Sequence, residues 1–231
     1  RDVDTTDLMV TINAIISEHI GMKESLGQTE DATGSEYITR IDISAINFNI
    51  LRKEFTRVKH KNLLFKDLGD FIEQSLDRLV AANPNRRDYY ERYRQIIEEY
   101  NSGKDRTNIE KTFEALIQLV KELSEEESRY IREGFTTDDE LAIFDLLKRD
   151  NPNKADIKKL KGTATEMYSK ITEAISRMDH WTDKDETTAE IQNLIRDILW
   201  RELPESYDEQ QIEVCRGDVF EYVYTRFGYM A

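Results

Sequence analysis

The sequence of 231 residues holds a single cysteine, Cys215, so it can close no disulfide and build no cysteine-based zinc site within itself. Its three histidines, His19, His60 and His180, stand far apart and leave little for a histidine-based metal site. Glycine (9) and proline (3) are scarce. Sandwiches and barrels need many turns, so this scarcity argues against them and suits long helices. No apolar run approaches the roughly 18 residues of a membrane span, and no secretory apolar segment opens the chain. The motifs G-x-x-x-x-G-K-S/T, G-x-G-x-x-G and H-E-x-x-H are missing, and no Glu stands three residues before a His as a di-iron bundle requires. These absences leave no recognisable catalytic constellation.

Charge is what the chain has in abundance. Charged residues make up 35%, and 33 Lys and Arg face 47 Asp and Glu, for a net charge of −14. DNA carries about one negative charge per 1.7 Å of duplex, so a uniformly acidic surface would be repelled. Nucleic-acid contact would need a local basic patch. The acidic bulk reads as a soluble cytoplasmic protein that binds other proteins. The first residue is Arg1, not Met, which reads as a piece of a longer protein.

Apolar residues recur at helical spacing nearly throughout. Leu8, Ile12, Ile15, Ile16 and Ile20 predict an N-terminal helix, and residues 24–36 read as a mobile loop rich in small polar residues. Further helices are predicted over 42–60, 64–82 and 86–101, the last two separated by Asn83-Pro84-Asn85. Pro84 cannot donate a backbone hydrogen bond and disfavours helix at Asn83. Thr107 and Glu110 fit a capping box and open a stripe, Leu116, Ile117, Val120 and Leu123, that is expected in the core. That pattern can continue to Gly134. A second capping box, Thr137 and Glu140, opens a short helix ended by Asp150-Asn151-Pro152. A long helix over 154–178, another started near Thr182 and stopped by Leu203-Pro204, and a last one over 209–226 complete an all-α, irregular bundle of eight to nine helices, several of them long. No alternating strand pattern or repeat appears.

Two basic clusters stand out. The first holds Arg52, Lys53, Arg57, Lys59, His60, Lys61 and Lys66; the second holds Lys148, Arg149, Lys154, Lys158, Lys159 and Lys161. A patch that follows a phosphate backbone needs several cations on one face, and Arg52, Arg57, Lys59 and Lys61 are the candidate DNA-backbone contacts. The plainer reading is a solvated face paired with nearby carboxylates. Pro152, Asp156 and Lys158 echo a metal-dependent nuclease pattern, but with the wrong spacing and at a helix start, where an acid is expected from the dipole alone. Cys215 reads as a buried structural thiol. The 11 Tyr, 9 Phe and 2 Trp include a C-terminal group, Trp181, Trp200, Tyr207, Tyr222 and Tyr224, that cannot all share one helix face. Those at helical spacing read as core, and the rest are a candidate partner interface, since such side chains are enriched in binding hot spots.

Several fragments occur in a recognisable order. They are Phe55–Leu63 (FTRVKHKNL), the Asn-Pro-x-Arg turn at Asn83–Arg86, Tyr93–Asn101 (YRQIIEEYN), Phe135–Leu147 (FTTDDELAIFDLL), Trp181, and Leu203-Pro204 followed by Tyr207. From about residue 37 to 227 the chain resembles the C-terminal helical region of the restriction (motor) subunit of type I restriction-modification enzymes. That family usually has Leu where Phe135 stands, a conservative departure.

The resemblance implies a parent with an N-terminal nuclease domain and two helicase-like ATPase domains that translocate duplex DNA, using ATP and Mg. Residues 1–36 would then be the N-terminal helix and loop that follow the helicase domains, and 37–231 a helical assembly domain. It implies docking onto the methyltransferase and specificity subunits, with no catalytic, cofactor or metal residue carried by this chain. A stand-alone helical scaffold and a helical DNA-backbone-binding module are the alternatives.

Overall fold

A computed structural model describes residues 48–57, 61–102, 106–149 and 152–228. The expected N-terminal helix and the loop at 24–36 lie outside them. The fold is all-α. Among the described residues there are nine α-helices and no strand: α1 Phe48–Arg57, α2 Lys61–Ala82, α3 Arg87–Ser102, α4 Arg106–Glu127, α5 Arg129–Glu133, α6 Asp138–Leu147, α7 Lys154–Ile175, α8 Asp185–Glu202 and α9 Glu209–Phe227. None of them is long and apolar enough to cross a membrane. They divide into two compact units, the first ending at Leu76 and resuming over Tyr89–Glu126, the second taking Asp77–Asp88 and the described residues from Glu127 onward.

In the first unit the expected stripe is core. Leu116, Ile117, Val120 and Leu123 are all buried, joined by Leu119. Two stacked ring pairs lie beside it: Phe55 on Phe113, with ring centres 3.6 Å apart, and Phe65 on Tyr100 at 3.8 Å. Gly69 lets a neighbour come close. The Tyr93 hydroxyl donates to the Gly69 carbonyl at 3.0 Å and would stand 3.3 Å from a Cβ there. Burial pushes that phenol up to about 12, with help from Glu73 and Asp70.

In the second unit, α6 packs on α7, α7 on α8, α8 on α9, and α9 back on α6. The chain enters this cycle through a full capping box. The Glu140 amide donates to Thr137 Oγ1, and the Glu140 carboxylate accepts from the Thr137 amide. Five apolar residues of α6, Leu141 to Phe144 and Leu147, are buried, along with Glu140. Arg86 is also buried. It forks onto Asp138 with two bonds of 2.7 Å and donates to the Leu79 carbonyl, which compensates its charge.

Four helix ends differ from the sequence reading. α4 begins at Arg106, so Thr107 lies inside it and is not its cap. α4 stops at Glu127, and Ser128 leaves helical geometry with ψ near 3°. Three glutamates, Glu125 to Glu127, crowd the negative pole of the helix dipole there and oppose its extension. Gly134 then closes α5 at φ 84°, in the left-handed region where glycine carries no steric cost. α7 ends at Ile175 and continues only as turns. Thr182 does not start α8. Its hydroxyl bonds the Gly228 carbonyl, and Lys184 takes the cap position with no side-chain cap bond.

Candidate interaction surfaces

Two members of the first basic cluster, Arg52 and Lys61, are spent within their own unit. Arg52 forks onto Glu114, the closest approach being 2.7 Å, and this hydrogen bond holds the Glu114 carboxyl below its ordinary range. Lys61 pairs with Glu110 at 2.7 Å and lies over the Phe55 ring at 4.9 Å. Arg57 is exposed at the end of α1, and Lys59 lies outside the described residues. Two of the four proposed phosphate contacts therefore already hold carboxylates.

The second cluster works as clamps. Arg149 stacks over Tyr207 at 3.8 Å and donates to the Ser206 carbonyl and to Gln211 Oε1. Lys159 donates to the Leu203 carbonyl at 3.0 Å, and Lys161 to the Glu133 carbonyl and carboxylate at 2.7 Å. Lys148, Lys154 and Lys158 are exposed. Asp156 supports the start of α7: its amide donates to Oδ1 of Asn153, the cap residue of that helix, and its carboxylate accepts from Asn153 Nδ2. Among the described residues, no group of three or more His, Cys, Asp or Glu could hold a metal ion.

The five aromatics separate sharply. Trp181 is fully buried, and its indole donates to the Phe227 carbonyl at 3.1 Å, fastening the end of α9. Tyr207 and Tyr222 are buried as well. The Tyr207 hydroxyl donates to the Leu147 carbonyl, while Tyr222 bonds Asp139 at 2.7 Å and the Ala82 carbonyl. Asp139 also accepts from Arg226. These three rings are internal posts of the second unit. Trp200 (52% exposed) and Tyr224 (43%) face solvent, the latter edge-on to Trp181. The geometry follows from their positions on the helix. Tyr222 and Tyr224 are two residues apart, about 200° around it, so one points in and the other out.

Sequence reasoning missed two features of α9. One is its capping box, in which Asp208 and Gln211 bond each other's amides; the D-x-x-Q spacing signals it. The other is a groove beside α9. Val214 is 56% exposed and lines, with Leu146, Leu147, Tyr207 and Cys215, an apolar cleft of about 310 Å³. A wider cleft of about 780 Å³ continues from it, and both are lined by Leu146 and Asp218. Val214 falls off the buried stripe Ile212, Cys215 and Val219, which was the available signal. Cys215 itself is buried, and burial, followed by the Asp218 charge, pushes its thiol up to about 11. His180 sits exposed in a turn with φ 48°.

No curated protein and no solved structure matches the chain. Residues 3–225 match the family model described as type I restriction enzyme HindI endonuclease subunit-like, C-terminal, and the chain belongs to that family.

Proposed function

We propose that this chain is an assembly domain, which docks the ATP-dependent translocating and cleaving parts of a type I motor subunit onto the methyltransferase and specificity subunits. Family membership supports the setting, a C-terminal domain of a restriction-enzyme subunit. The observation that carries the docking role is Trp200. It leaves half its surface in water beside Leu199, which is fully buried. Tryptophan is among the side chains most enriched in binding hot spots, which cluster near the centre of an interface. Tyr224 is a second one. On this reading ATP, Mg and duplex DNA belong to the parent complex, and catalysis to its other domains.

A pull-down of the methyltransferase–specificity complex by the full motor subunit tests the proposal. Trp200→Ala should weaken capture by about 2 kcal/mol while the melting temperature stays put; Tyr224→Ala should weaken it too, with a lower melting temperature because its ring packs edge-on against Trp181. Wild-type capture by both variants would place docking elsewhere.

A further inference from the structure

The two clefts beside α9 adjoin at Leu146 and Asp218, which line both, and together they make a groove along the helix. On α9 it is lined by residues from Gln210 to Arg226, about 24 Å of helix at 1.5 Å per residue. That is about four and a half turns, the reach of a helix laid in a groove. Val214, Asp218 and Glu221 succeed one another along α9 at helical spacing, and Leu146 stands across from them. The chemistry changes along its length. The Gln210 end is apolar around Val214 and Leu146, with the Arg149 guanidinium pinned at its rim. The wider part carries three exposed carboxylates, Asp88, Asp218 and Glu221, none of which is in an ion pair among the described residues. Arg226, in the same part, is already bonded to Asp139, which leaves Arg87 as the opposing cation.

We propose that this groove seats an amphipathic helix of a partner protein, bearing an aliphatic anchor with Lys or Arg four and seven residues away. The anchor fills the apolar end between Val214 and Leu146. The two cations then meet Asp218 and Glu221, which stand four and seven residues beyond Val214. A helix with acidic residues at those positions is rejected by like charge. Nucleic acid is repelled by the same three carboxylates. The inference stands whether or not the methyltransferase–specificity core supplies the helix.

Fluorescence anisotropy with two labelled helical peptides tests it on the 231-residue chain. One peptide carries Leu followed by Lys at the fourth and seventh positions, and the other carries Glu in place of both Lys. The Lys peptide should bind about tenfold tighter or more at low salt, since close charge pairs set such preferences. The Asp218→Lys, Glu221→Lys double variant, with folding checked by circular dichroism, should reverse the order. Val214→Arg should weaken the Lys peptide. Equal binding of both peptides, an unchanged order in the double variant, or competition by duplex DNA would overturn the proposal. Self-association of the chain that these variants abolish would overturn it too, because the occupant would then be a second copy.

Discussion

Trp181 and Trp200 are the two tryptophans of the chain, and they stand at opposite extremes of exposure. Removing the buried ring leaves a cavity and orphans the Phe227 carbonyl, so Trp181→Ala should cost about 3–5 kcal/mol. Trp200→Ala should stay within about 0.5 kcal/mol, and urea denaturation of both variants measures the contrast. Sequence alone grouped these two rings because it sees size and polarity, whereas burial depends on what another helix brings. Asp67 makes a subtler case. Its Oδ2 is buried and accepts no hydrogen bond, and burial, then the Asp70 charge, holds its pKa above the ordinary value. A carboxyl raised in the folded state stabilises only where it is protonated and costs stability once the pH rises through its folded value. Asp67→Asn should therefore stabilise the protein at pH 7, by about 1 kcal/mol. The gain should shrink as the pH falls through the carboxylate range; a gain independent of pH would show that packing, not charge, is responsible.

The helices show which boundaries are written locally. Thr137 and Glu140 form their capping box as the spacing predicts, because both partners lie within one turn. Thr137→Ala should cost about 1 kcal/mol, read from the thermal midpoint, with Thr137→Ser restoring most of it. Thr182 had the same local credentials, yet its hydroxyl bonds Gly228, 46 residues away. The end of α4 was hidden for another reason. Tyr130 and Ile131 continue its apolar phase, while the stop comes from charge at the helix pole, which periodicity does not register. Apolar stripes thus named the helices and the core of α4, and tertiary hydrogen bonds and end charges moved the boundaries. The groove beside α9 was readable only as an apolar residue out of phase, because its second wall comes from residues distant in sequence.

At the scale of the whole molecule, charge decides the response to pH. Arg52, Arg92, Lys161 and Lys170 hold Glu114, Glu122, Glu133 and Glu166 below the ordinary value of 4.5 through hydrogen bonds. Carboxylates lowered in the folded state contribute stability that is present above their ordinary value and lost as the pH falls through the folded one. Each pair lies near the surface and is worth a few tenths of a kcal/mol. A net charge of −14 works the other way, since self-repulsion eases as the pH falls toward the isoelectric point of 4.8. The thermal midpoint should hold or rise between pH 7 and pH 5 and drop below about 4.5. A steady fall from pH 7 would mean that a group titrating above pH 5, and not these carboxylates, governs the midpoint. Last, the one thiol of the chain has a practical consequence. With its pKa near 11, Cys215 exposes on the order of one thiolate in ten thousand at pH 7. Buried Cys215 should therefore react far more slowly with maleimides than an exposed thiol, and a cysteine introduced at exposed Thr225 would take a fluorophore first, turning the wall of the groove into its own reporter without touching Asp218 or Glu221.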